Sequence, residues 1–186
     1  MQVPLVMTVI GKDRTGLVEA VARLVTEHGG NWLESRMCRL GGEFAGILRL
    51  HVPAERHAAL EAALAQLVGL TIVVRSDEAA TTAGPAQLAA LEVFGQDRPG
   101  IVREITHALS AHRINVEELA TECVSAPMSG EPLFQAKAKI LVPGEVALDK
   151  LRQTLENAVA GMTVELAWID PALHPLNTKG QPSSHT

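Results

Sequence analysis

Tyrosine is absent from this 186-residue chain, and aromatic residues of all kinds make up 3% of it. A sheet that stacks RNA bases needs aromatic side chains on its central strands, so this composition argues against one. There are two cysteines, Cys38 and Cys123, and no Cys-x-x-Cys. That argues against a disulfide scaffold or a thiolate zinc site, and no metal is expected. No run of basic residues occurs: 16 Lys and Arg stand against 21 Asp and Glu, a net charge of -5. Such a chain is poorly suited to holding a phosphate backbone, so no direct nucleic-acid partner is expected. No apolar stretch reaches the ~18 residues that span a bilayer, and Met1-Gln2-Val3-Pro4-Leu5 lacks the charged, apolar and cleavage segments of a signal peptide. The expectation is a cytoplasmic protein without a membrane partner. Catalytic signatures are missing too, with no GxSxG, HExxH or phosphate-binding loop. Glu117 and Glu118 are strand neighbours whose side chains should point apart. Neither enzymatic activity nor a cofactor is expected.

What the chain does have is a hydrophobic content of 47% and an internal repeat. Gly11-Lys12-Asp13-Arg14-Thr15-Gly16 recurs as Gly95-Gln96-Asp97-Arg98-Pro99-Gly100, an offset of 84 from Asp13 to Asp97. The same offset carries His28 to His112, Asn31 to Asn115 and Glu34 to Glu118. From Phe44 to Phe134 the offset is 90, and it holds for Val52-Pro53 with Val142-Pro143 and Glu55 with Glu145. Six residues are therefore inserted in the second copy, most naturally within Ser125 to Pro132.

Each copy reads as strand, helix, strand, strand, helix, strand. Val3 to Ile10 is apolar and β-branched, a buried strand. Leu17, Val18, Val21, Leu24 and Val25 form one face of a helix, which Gly29-Gly30 ends. Trp32 to Leu40 and Glu43 to Val52 flank Gly41-Gly42, a hairpin signal. Pro53 opens a second helix with Leu60, Leu64, Leu67 and Val68 as its stripe, Gly69 closes it, and Leu70 to Arg75 is the last strand. In the second copy the corresponding segments are Leu88 to Phe94, Ile101 to Ala111, Asn115 to Val124, Phe134 to Val142, Ala147 to Val159 and Met162 to Trp168. The fold class is α+β: two ferredoxin-like βαββαβ domains in tandem, with antiparallel sheets and helices on one face. The domains are expected at 1–76 and 87–170, with a linker at 77–86 and a flexible tail at 171–186.

The fold hosts many functions, so the loops must discriminate. A copper chaperone would need two cysteines in the first loop, where this chain has Asp13-Arg14-Thr15-Gly16. An acylphosphatase would need its own phosphate-cradling loop, which is not found. Asp-Arg-x-Gly after the first strand, with an asparagine about fifteen residues later, resembles the ACT domain, a regulatory module that binds amino acids. Asp97-Arg98-Pro99-Gly100-Ile101-Val102 fits that pattern more closely, while the first copy has Thr15 where proline is usual. Free-standing tandem ACT chains of this size resemble a group of bacterial transcriptional repressors. The resemblance implies an amino-acid sensor, for glycine or a similar small ligand, that represses glycine-degradation genes. It would act through a DNA-binding activator of the LysR type. A homodimer is compatible with it, since ACT sites often form where two domains meet. Two alternatives stay open: an amino-acid-binding module that controls an enzyme, and a ligand-free dimerisation or adaptor module.

The candidate ligand-binding residues are Asp13, Arg14, Thr15, Gly16 and Asn31 in the first copy, and Asp97, Arg98, Pro99, Gly100 and Asn115 in the second. Amides at a helix N-terminus suit a carboxylate, and a glycine there allows close approach. The aspartates could take an ammonium group, and the asparagines either end. Each has a purely structural reading as well. The aspartates could cap their helices, the glycines could serve tight helix–sheet packing, the arginines could be solvated or paired, and the asparagines could shape a turn. His28 and His112 are expected to be structural groups at helix C-termini. Cys38 and Cys123, one position out of register, are expected to be buried free thiols on opposite sheet faces.

Overall fold

A computed structural model of the chain describes residues 1–77, 85–126 and 130–170. The expected tail at 171–186 and most of the expected linker at 77–86 lie outside the described residues, as does part of the six-residue insertion. The described residues form two compact units. The first holds β1 (Gln2–Lys12), α1 (Leu17–Glu27), β2 (Asn31–Leu40), β3 (Glu43–Pro53), a 3-10 turn (Ala54–Arg56), α2 (His57–Leu64) and β4 (Leu70–Ser76). The second holds β5 (Ala86–Gln96), α3 (Ile101–Ala111), β6 (Asn115–Ser125), β7 (Pro132–Pro143), α4 (Leu148–Ala158) and β8 (Thr163–Trp168). Both sheets are antiparallel, in the orders β2-β3-β1-β4 and β6-β7-β5-β8. No helix among the described residues is long and apolar enough to cross a membrane.

Strand alternation explains where each core sits. In β1, Leu5, Met7 and Val9 are buried, and each faces a residue of β3 that shares its side of the sheet. The helices bring Val21, Val25, Leu60 and Leu64 onto that side. In the second unit Ala89, Leu91 and Val93 do the same under Ile105, Leu109, Leu151 and Leu155. Each large aliphatic side chain so buried is worth about 1.5–3 kcal/mol. The helical stripes are narrower than the sequence suggests. Val18 is half-exposed, and α2 stops at Leu64, leaving Val68 in a turn and 86% exposed. The insertion lengthens the β6–β7 hairpin tip, because Cys123 faces Phe134 just as Arg39 faces Phe44.

The two copies also share a feature that periodicity cannot show. The β2–β3 register slips between Trp32 and Glu34, and the β6–β7 register slips between Val116 and Glu118. Leu33 and Glu117 are thus the extra residues of equivalent β-bulges. Glu117, off the regular alternation, accepts a hydrogen bond from the Asn115 amide nitrogen at 2.6 Å. Glu118 instead meets the Lys139 ammonium at 2.8 Å, and its counterpart Glu34 meets Arg49 at 3.6 Å. Arg49 also donates from Nε and one terminal nitrogen to Asp77, at 2.9 and 2.6 Å. That pair and the nearby carboxylate of Glu34 raise the Arg49 pKa further above its ordinary value.

Where two backbones meet at the top of the sheets, only glycine fits. A Cβ on Gly11 would lie 2.1 Å from the Gly69 carbonyl oxygen, whereas one on Gly95 would meet Met162 Cγ at 2.9 Å and its Cα at 3.1 Å. Gly11→Ala should therefore destabilise the first unit by about 1–3 kcal/mol, more than Gly95→Ala costs the second, since a side chain yields more easily than a carbonyl. Urea unfolding of the two variants checks the order. The helix ends offer the converse case. Gly29 follows α1 with φ +69, and the equivalent residue after α3 is Arg113 with φ +56. A side chain costs ~1–2 kcal/mol in the left-handed region, partly offset by its smaller unfolded-state entropy. Arg113→Gly should raise the melting temperature, and an unchanged or lower value would contradict this account.

Candidate functional site

In each unit the first strand ends, the chain makes a four-residue turn, and a helix begins. The residue that opens the helix is glycine in the left-handed conformation: Gly16 at φ 90 and Gly100 at φ 97, each without a side-chain cap. Asp13 and Asp97 do not cap their helices. Their backbone N–H groups instead tie the turn to the neighbouring hairpin, Asp13 to the Gly42 carbonyl and Asp97 to the Pro132 carbonyl, both at 3.0 Å. The glycines are not packing devices either. A Cβ on Gly16 meets nothing within 4 Å, and one on Gly100 meets only the Glu104 carboxylate at 3.9 Å. Their requirement is conformational, and the space above them is open. The first-turn amides of α1 and α3 are left without a side-chain acceptor, at the end of a helix dipole that favours an anion.

The loop arginines are anchored away from their aspartates. Arg14 donates to the Val68 carbonyl at 3.1 Å. Arg98 donates to both oxygens of Glu104 in α3, at 2.8 and 2.5 Å. That fork pushes the Glu104 pKa below the ordinary carboxylate range and raises that of Arg98. Ala20 holds the position of Glu104 in the first copy, which is why Arg14 reaches elsewhere. Thr15 and Pro99 complete the two turns.

The asparagines lie at the other end of each sheet. Asn31 faces His51, which faces Pro4, and β1 runs eight further residues before Lys12 leads into the loop. At about 3.3 Å per residue that is roughly 26 Å. Asn115 faces Leu141, which faces Leu88, with the same eight-residue run to Gln96. The separation is inherent in the fold. α1 carries the chain back across the sheet, so β2 starts where β1 starts. Aspartate and glycine therefore share one loop in each unit, the loop arginine is held away from that aspartate, and the asparagine lies at the other end of the sheet.

Two side chains outside the predicted site residues complete the loops. Arg39 Nε meets Asp13 at 2.6 Å. Its equivalent at the offset of 84 is Cys123, whose thiol pKa is raised by lost hydration, then by the nearby Asp97 carboxylate. Cys38 and Cys123 do lie on opposite faces, since Cys38 pairs with Ala45 and Cys123 with the core residue Phe134. Both are exposed, which corrects the expectation of buried thiols: each stands two residues before the end of its strand, where the hairpin runs on past the helices. His28 sits at the end of α1 with Nδ1 2.8 Å from the Leu24 carbonyl. No cluster among the described residues could hold a metal ion.

Residues 3–74 match the sequence model of the ACT domain, and the second unit repeats the topology, loop and bulge of the first. The first unit thus matches the ACT domain, and the second shares its topology. Over 170 residues it is 29% identical to the glycine cleavage system transcriptional repressor of Escherichia coli (strain K12), a match covering 87% of this chain and 85% of that protein. An unknown protein from Galdieria sulphuraria has a solved structure with a TM-score of 0.80 at 28% identity, covering 91% of this chain and 100% of that one. The structure of a candidate glycine cleavage system transcriptional repressor gives a TM-score of 0.65 at 22% identity, covering 91% of this chain and 98% of that one, a likeness of fold.

In the second unit the Arg98–Glu104 fork makes a direct prediction. A carboxylate with a lowered folded-state pKa contributes stability that is present above its unfolded value and lost as pH falls through the folded one. Glu104 should titrate below the other exposed glutamates in a carbon-detected NMR titration. Arg98→Ala should return it to the ordinary range.

Proposed function

We propose that this chain is an amino-acid-sensing regulator that represses glycine-degradation genes through a protein partner, a DNA-binding activator of the LysR type. The observation that carries the ligand-binding part is the loop from Asp97 to Gly100. There, uncapped first-turn amides stand beside an aspartate that pairs with no cation among the described residues. A zwitterion offers a carboxylate for the amides and an ammonium group for the aspartate. The open space over Gly100 admits the ligand to the backbone. The similarity to the Escherichia coli repressor supports the regulatory part. The net charge of -5 favours contact with a protein over direct contact with DNA.

Asn31 and Asn115 stand too far from the loop of their own unit to join its site; a second copy of the chain is one way to bring them there, so a homodimer fits this reading. Glycine has five heavy atoms, and at a ceiling of about 1.5 kcal/mol per atom its binding energy stays below roughly 7–8 kcal/mol. That means micromolar affinity at best, and a ligand of this kind regulates only by binding one conformation better than another.

Calorimetric titration with glycine, then serine and alanine, should show saturable binding between micromolar and millimolar. Asp97→Asn should weaken it at least tenfold with the fold intact by circular dichroism. Capture from a bacterial lysate should return a transcription activator. A sequence-specific DNA shift by the purified chain alone would sink the proposal, and absence of binding by all three amino acids would leave only an adaptor role.

A further inference from the structure

The two loops have the same backbone and the same aspartate, yet their charges are settled differently. In the first unit Arg39 Nε lies 2.6 Å from Asp13 Oδ2. In the second, the equivalent position is Cys123, an uncharged side chain, and Asp97 has no ion-pair partner among the described residues. The loop arginines do not even out this difference, because Arg14 is held by the Val68 carbonyl and Arg98 by Glu104. A cation is thus already seated on Asp13, while Asp97 carries its negative charge without one among the described residues.

We infer that Arg39 is a built-in substitute for a ligand's ammonium group, so that the second unit binds the amino acid and the first does not. This rests on the amino-acid-sensing reading above and assigns its site to one copy. An incoming ammonium group at Asp13 has to displace the guanidinium and then remain beside it, and like charges held a few ångströms apart repel even near a protein surface. At Asp97 there is no cation among the described residues to displace. Arg39 stands at the end of β2, next to the two-residue Gly41-Gly42 turn. Its counterpart stands before a hairpin tip lengthened by the insertion. The divergence between the copies is therefore concentrated beside the aspartate, while the glycine, its left-handed geometry and the uncapped helix end are common to both. The first unit then keeps the shape of a binding module with its charge already satisfied.

The test is a nitrogen-15 NMR titration of the full chain with glycine, repeated with serine and alanine. The unaltered chain should show saturable shifts at residues 97–102 and none at 13–18. Cys123→Arg should silence the second loop, whereas Cys123→Ser keeps it responsive. Arg39→Cys should make residues 13–18 respond, with affinity raised at least tenfold over the unaltered first loop, and Arg39→Lys should leave them silent. Shifts at 13–18 in the unaltered chain, or variants that change neither loop, would overturn the assignment while the sensing reading stands. No shift at either loop with any of the three amino acids would remove the sensing reading, and this inference with it.

Discussion

Each unit hangs on its first strand. β1 and β5 pair on both sides, so their alternate residues must be apolar enough to carry a helix layer and their ends must accept whatever the flanking strands present. Leu5, Met7 and Val9, with Ala89, Leu91 and Val93, meet the first demand by being almost fully buried. Gly11 and Gly95 meet the second, because the turns before β4 and β8 close against them. The loop that follows is thereby fixed at one end of the sheet. Its hydrogen bonds to Gly42 and Pro132 are made to the hairpin that the same strand organises.

Most of this architecture was legible in the sequence, since burial imposes periods of two and 3.6 that composition cannot disguise. The strand and helix order follows from it, and so does the duplication. What escaped was whatever depends on direction or on a single extra residue. Aspartate and asparagine eighteen residues apart look like one site on paper. A helix of eleven residues runs between them and places them at opposite ends of the sheet. The bulges at Leu33 and Glu117 leave no mark in the pattern of hydrophobicity. Val68 has the right spacing for a helical stripe, but the helix ends before reaching it.

The loops show the same division. That glycine opens both helices was readable, but its reason was not, because only backbone geometry separates a tight contact from a left-handed turn. The fate of the aspartates was hidden for a different cause. Their partners come from the far strand of the hairpin, and the offset that reveals them falls where one copy has arginine and the other cysteine. Duplication preserved the frame and left the charges beside it free to diverge.

The paired bulges have a consequence for how these sheets meet other chains. β2 and β6 are edge strands, each with a row of backbone groups facing outward. An unbroken edge is a template on which foreign strands can add without limit. One unpaired residue near the start of each strand bends it and spoils the hydrogen-bond ladder there. An incoming strand can then match only part of the edge, so association through it is confined to partners shaped for the kink, and open-ended fibre growth is discouraged.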